Sequence, residues 1–177
     1  TRKESSAASD VYKRQLECWQ IALKNQNTPS AIALSRQKLP YINPSHTKEN
    51  KSELGAYTVN ATSQENDVTL VASGSEVELA LQAQKELKEI NIDSKVVSMP
   101  CQELFNQQSI SYKNEIINKK VPTITIEASS VNSWEKYSEN NMGIETFGES
   151  APFKEVYSHF NLTSAKIVEL AKKIIKK

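Results

Sequence analysis

A three-layer α/β domain on a mostly parallel sheet is the fold class this sequence predicts, from three observations. Short apolar runs of strand character, VTLVAS at 68–73, KVVSM at 95–99 and PTITIE at 122–127, alternate with helical stretches. Strands that alternate with helices need crossovers, and crossovers cover both faces of a parallel sheet. The helical stretches carry apolar stripes at i, i+3 and i+4: Val77, Ala80, Ala83, Leu87 and Ile90 in one, Ile167, Leu170, Ala171, Ile174 and Ile175 in the last. Turn signals sit between the runs, with Gly74-Ser75 closing one strand and Pro100 stopping another.

Composition narrows the function before any motif is read. The chain has 177 residues, with 22 Lys and Arg against 21 Asp and Glu, a net charge of +1. That balance argues against binding a polyanion, so neither nucleic acid nor an acidic membrane surface is expected as a partner. No apolar run approaches the roughly 18–20 residues of a membrane span. Two cysteines, Cys18 and Cys101, fit a reducing cytoplasm and are too few for a disulfide framework or a four-thiolate zinc site. The four glycines, at 55, 74, 143 and 148, are too scattered for a dinucleotide fingerprint or a Walker A loop. A cofactor diphosphate cradled on glycine amides is therefore not expected in this chain.

Along the chain, 1–15 is charged and serine-rich and reads as a disordered tail. Tyr12, Leu16, Trp19 and Leu23 fall on one helical face, and that helix stops at Asn27-Thr28-Pro29. SAIALS at 30–35 reads as a short buried strand, with Arg36-Gln37 at its carboxyl end, and 41–54 reads as a linker. GAYTV at 55–59 opens the regular domain, 55–177. The spacing Ser75-Glu76-Val77-Glu78 predicts a capping box for the helix after the second strand. Short helices are expected near 104–107 and 112–118, and GIETFG at 143–148 is the fifth strand candidate. Phe153, Val156, Tyr157 and Phe160 share a helical face, and Thr163 is the expected cap of the last helix.

Arg36 is the foremost candidate for chemistry. It follows a buried strand, and ligands of parallel α/β sheets collect outside the carboxyl ends of strands. A guanidinium there offers a planar fork to phosphate or carboxylate; the plainer reading is a surface arginine in a turn. Ser73-Gly74-Ser75 could hold an anion at a helix start, or simply make a βα turn. Glu127, Glu145 and Glu149 lie at strand ends or in the loops beyond, as sugar or metal contacts or as salt-bridge and cap residues. His46 and His159 read as solvent or structural histidines. Lys172, Lys173, Lys176 and Lys177 complement a helix dipole. Trp134 and Tyr137 mark an interface or a loop packed on the core.

ALSRQKLP at 33–40 resembles the transketolase segment in which a strand ends in Leu-Ser-Arg-Gln and then Leu-Pro. GAYTV, VTLVASGSEVELALQAQKEL, VVSMP followed by ELF, WEKY and FGESAPFKEVYSHFNLT are similar to the transketolase carboxy-terminal domain in the same order. Cys101-Gln102 stand where that family usually has Ser-Trp, and the loop from Trp134 to Gly143 is short. The resemblance implies a sheet of about five strands with one antiparallel edge strand. It makes 16–40 a helix-plus-strand remnant of the pyrimidine-binding domain and 55–177 the carboxy-terminal domain. It further implies, for the full-length enzyme, thiamine diphosphate with a divalent metal (Mg or Ca), a homodimer, and ketol transfer between sugar phosphates in the pentose phosphate pathway. Arg36 would bind the substrate phosphate. No catalytic, cofactor or metal residue carries over, so the isolated chain is expected to be inactive and to bind no cofactor. A non-catalytic dimerisation or regulatory module, or a piece of a dihydroxyacetone-synthase-like relative, are the alternatives.

Overall fold

The computed structural model describes residues 7–34 and 49–175; Arg36 and His46 lie outside the described residues. The sheet consists of β1 (Tyr57–Ala61), β2 (Val68–Ala72), β3 (Ser94–Ser98), β4 (Thr123–Ile126) and β5 (Asn140–Met142). Their order is β1-β3-β2-β4-β5. β3, β2, β4 and β5 run parallel, and β1 lies antiparallel on β3 with Tyr57 opposite Ser98 and an irregularity between Thr58 and Asn60. The five-stranded, mostly parallel sheet with one antiparallel edge strand is thus the observed architecture.

β2 is the centre, and all five of its residues are buried. Side chains alternate across a strand, so Leu70 and Val96 face one layer while Val71 and Val97 face the other. The first layer is α2 (Glu76–Glu89) and α6 (Ser164–Ile175), which set Val77, Ala80, Ala83, Leu87, Ile167 and Ala171 on the sheet at zero exposure. Alanines at the contact bring both helices close to the strands. Ile90, the expected end of the α2 stripe, is instead 40% exposed just past the helix, where Asn91 turns the chain with a positive φ of 58°. Thr163 does cap α6, its Oγ1 accepting the Lys166 N–H.

The second layer is aromatic. α3 (Gln102–Asn106) and α4 (Ile110–Ile116) bring Phe105 and Ile116 against Val71, Val97 and Met99. Trp134 is 3% exposed and stacks edge-on to Tyr137 at 6.1 Å, while Tyr137 lies 5.9 Å from Phe105. Of the two readings for Trp134 and Tyr137, the structure shows core packing. α5 (Phe153–His159) lies at the surface and buries none of its residues fully.

Several sequence expectations change. The expected disordered tail is helical from Ala7, since α1 spans Ala7–Lys24. Residues 30–34 form no strand and Leu34 is 59% exposed, because no described strand lies beside them to complete a ladder. Strand β5 is Asn140–Met142, not 143–148. Polar side chains place it: Asn140 N donates to Ser138 Oγ at 2.9 Å, Asn141 Nδ2 to Ser138 O at 2.9 Å, and Thr125 Oγ1 to Asn141 Oδ1. Ile144 N then bonds to Ser129 O at 2.9 Å, which draws the chain away from the sheet and leaves Phe147 97% exposed.

α1 meets the rest through polar contacts with a 3-10 turn at Lys51–Leu54. Ser52 Oγ donates to Glu17 Oε2 at 2.8 Å, Asn50 Nδ2 to Glu17 O at 3.1 Å, and Lys24 Nζ to Glu53 Oε1 at 2.6 Å. Its predicted apolar face faces outward, with Leu16 64%, Trp19 54% and Leu23 72% exposed.

Gly55 joins that turn to β1 at φ 77°. A Cβ there would lie 2.1 Å from Phe105 N and 2.5 Å from Cys101 O, both backbone atoms that cannot swing aside. Gly55→Ala should therefore cost about 3 kcal/mol, from left-handed strain plus displacement of α3. Urea denaturation read against the unsubstituted chain checks this.

Candidate functional site

In this sheet the connection from β2 leads to β3 on one side, and the chain then crosses back to β4 on the other. The carboxyl ends of β2 and β4, in register at Ala72 and Ile126, therefore flank the crevice where open α/β sheets receive ligands. The residues that follow these ends are Ser73-Gly74-Ser75 and Glu127.

The turn after β2 is tight. Gly74 has φ 48°, and Glu76 N bonds back to Ser73 O at 3.0 Å. The capping box does not form. Ser75 is itself in helical conformation, which turns its hydroxyl away from the free amides, and its side chain caps nothing. Instead Ser75 Oγ donates to Glu76 Oε1 at 2.7 Å, and the Tyr157 hydroxyl from α5 donates to the same oxygen. Glu76 is only 3% exposed. The Ser75 and Tyr157 oxygens are 3.2 Å apart, but each hydroxyl has a single proton and both protons go to the carboxylate.

Across the crevice Ser73 Oγ donates to Glu127 Oε2 at 2.5 Å. Burial is the main cause that pushes the Glu127 carboxyl above the ordinary glutamate range; the Ser73 hydroxyl opposes it, and the charge of Glu76 adds to the rise. The Tyr157 phenol is likewise raised, by burial first and by its bond to Glu76 second. Each of these two carboxyl groups is thus served by neutral hydroxyls, and the described ion pairs, Lys24–Glu53, Lys88–Asp93 and Lys166–Glu169, lie elsewhere.

This decides between the two readings of Ser73-Gly74-Ser75. A phosphate at that helix start would meet Glu76 and Glu127, so the segment is a βα turn. Glu145 Oε1 accepts the Val131 N–H at 2.9 Å, a cap, and Glu149 and His159 are exposed. A groove of about 490 Å³ between β5 and α6, lined by Met142, Leu162, Leu170, Lys166 and Lys173 among others, was not foreseen from sequence. Its walls join residues far apart in the chain, so no local pattern announces it. Among the described residues no group of three or more His, Cys, Asp or Glu could hold a metal ion, and no helix is long and apolar enough to cross a membrane. Arg36 belongs to the part of the chain outside the described residues.

A family model, the transketolase-like carboxy-terminal domain, matches residues 55–163. The chain belongs to the transketolase family. A transketolase of Sinorhizobium medicae is 39% identical over 165 residues, which cover 91% of this chain and 24% of that protein. The solved transketolase of Leishmania mexicana is 36% identical with a TM-score of 0.84, over 90% of this chain and 23% of its own. A Pichia stipitis transketolase solved as a complex with sedoheptulose 7-phosphate is 34% identical with a TM-score of 0.85, over 92% and 24%. The chain therefore spans about a quarter of the length of these transketolases, and the matched model is that of the family's last domain.

The Tyr157 hydroxyl is the only side-chain bond described between α5 and α2. Tyr157→Phe keeps the ring and its edge contact with Phe153 at 6.0 Å but leaves Glu76 short of a donor. The expected cost is about 1.5–3 kcal/mol, the range for a hydrogen bond to a charged group, measured by chemical denaturation at neutral pH.

Proposed function

We propose that this chain is the carboxy-terminal part of a transketolase, and that the longer protein transfers a two-carbon ketol unit between ketose and aldose phosphates in the cytoplasm. The observation that carries this reading is agreement over nine-tenths of the chain with transketolases about four times its length, together with the match of residues 55–163 to the family's carboxy-terminal domain. The Pichia stipitis relative named with a bound sedoheptulose 7-phosphate supports sugar phosphates as the substrate class. The cytoplasmic assignment rests on cysteine usage in the sequence.

Thiamine diphosphate, implied for a full-length transketolase, does not suit the crevice of this domain, where Ser73 is engaged by Glu127 and the first turn of α2 carries Glu76, so that a diphosphate would meet acidic side chains. For its divalent metal, no group of three or more His, Cys, Asp or Glu among the described residues offers a site. In this proposal the cofactor and the bond-breaking chemistry belong to the parts of a transketolase that this chain does not span. This chain contributes Arg36, through a charge-assisted contact to the substrate's terminal phosphate, and a rigid rear domain. The exposed Leu16, Trp19 and Leu23 of α1 give the other domains, or the second subunit of a homodimer, an apolar face to cover.

The isolated chain should show neither ketol transfer between pentose phosphates nor thiamine diphosphate binding. Calorimetry with the cofactor and a coupled transferase assay test both, and micromolar binding would refute the assignment. Within a complete transketolase containing this segment, Arg36→Ala should raise KM for phosphorylated sugars about ten- to a hundredfold, with kcat much less affected. That span corresponds to about 1.5–3 kcal/mol for a charge-assisted contact, and steady-state kinetics with phosphorylated and unphosphorylated donors reads it.

A further inference from the structure

We propose that the groove between β5 and α6 is a binding site for a small amphiphilic acid, a single carboxylate on an apolar body. Its volume is about 490 Å³, inside the span of roughly 300–1,000 Å³ in which small-molecule sites fall. The groove exists because the sheet ends at β5. Among the described residues no strand lies beyond Asn140–Met142, and the space between that open edge and the flank of α6 stays unfilled.

The walls are fixed before any ligand arrives. α6 turns Ile167 and Ala171 onto the sheet at zero exposure. That leaves Lys166, Leu170 and Lys173, at i, i+4 and i+7, on the neighbouring face that lines the groove. Leu170 and Met142 are partly buried and pack on the core cluster beneath them, so the apolar wall is continuous with the core. Leu162 is 2% exposed, and its N–H bonds to Tyr157 O at 2.8 Å, which holds the Phe160–Leu162 side of the groove in place.

The charges on the lining are unequal. Two lysines against one glutamate leave it a net charge of +1. Lys166 Nζ lies 2.6 Å from Glu169 Oε2, so that cation is matched. The Glu169 carboxyl is held below the ordinary glutamate range, first by its bond to Lys166 and further by the charge of Lys173. Lys173 makes no hydrogen bond or close ion pair to a described residue, which leaves its ammonium to accept an acid group. The Asn141 amide is already spent, with Nδ2 on Ser138 O and Oδ1 accepting the Thr125 hydroxyl. One available cation beside Met142, Leu162 and Leu170 selects a ligand with one acid head and an apolar remainder. A sugar phosphate would instead set its hydroxyls against side chains that offer them no hydrogen bond. The site is thus separate from the proposed ketol transfer and stands whether or not that reading holds.

Four probes test it by NMR amide shifts on the 177-residue chain: octanoate, 1-naphthoate, 1-octanol and acetate. At least one of the two larger acids should saturate with a Kd of about 1 mM or tighter, moving the amides of Met142, Leu162, Leu170 and Lys173. Tighter octanoate assigns the site to acyl chains, and tighter naphthoate to aromatic acids. Octanol should bind about three- to fivefold more weakly than octanoate, the change that one exposed ion pair corresponds to. Acetate, which lacks the body, should not saturate. Lys173→Gln should bring the acids down to the level of the alcohol, and Glu169→Gln should tighten them by a similar factor. Both side chains are exposed, so neither change disturbs the core. No saturation by either large acid up to about 10 mM, shifts confined to another surface, equal affinity for octanoate and octanol, or Lys173→Gln without effect on the acids would overturn the proposal.

Discussion

The structure rests on the burial of one strand from both sides. β2 has β3 and β4 as hydrogen-bonded neighbours, the alanine-lined α2 and the C-terminal α6 over one face, and the Phe105–Trp134–Tyr137 layer over the other. A strand buried in that way cannot alternate polar and apolar residues, which is why VTLVA is apolar at nearly every place. Its one polar residue, Thr69, has a hydroxyl with no partner, a local cost accepted in exchange for β-branched packing. Once β2 is fixed, the crossovers to β3 and β4 have little freedom, and so the crevice between the β2 and β4 ends is positioned by core packing alone.

What could be read from the sequence follows the same division. β2, β3 and β4 are apolar runs bounded by Gly or Pro, and the stripes of α2 and α6 repeat at helical period, so their pattern states their place. β5 does not, because Asn140–Met142 is held by side-chain hydrogen bonds to Ser138 and Thr125 rather than by strand propensity. The alternating GIETFG looked more like a strand, yet Ile144 is pulled aside by Ser129. Likewise 30–34 has the apolar content of a strand but needs a neighbouring ladder that the described residues do not supply.

The polar site was half legible. Glu127 and the Ser73–Ser75 turn stood out because they follow strands, but their partnership did not. Glu127 is 54 residues from Ser73, and Tyr157 is 81 from Glu76. Nothing local records such a meeting. The capping-box spacing at Ser75 even pointed elsewhere, since Glu76 captured the hydroxyl that the motif assigns to the backbone. The adjacent side chain overrode a sound local rule.

The reversed direction of β1 has a further result. Because Tyr57 lies opposite Ser98 and Ala61 opposite Lys95, the polypeptide enters this domain at the rim where the parallel strands finish. A parallel first strand would have delivered it to the far rim. The 3-10 turn at Lys51–Leu54, which feeds β1, is consequently set on the same shore of the sheet as the loops of 73–75 and 127–131, by virtue of one strand's heading.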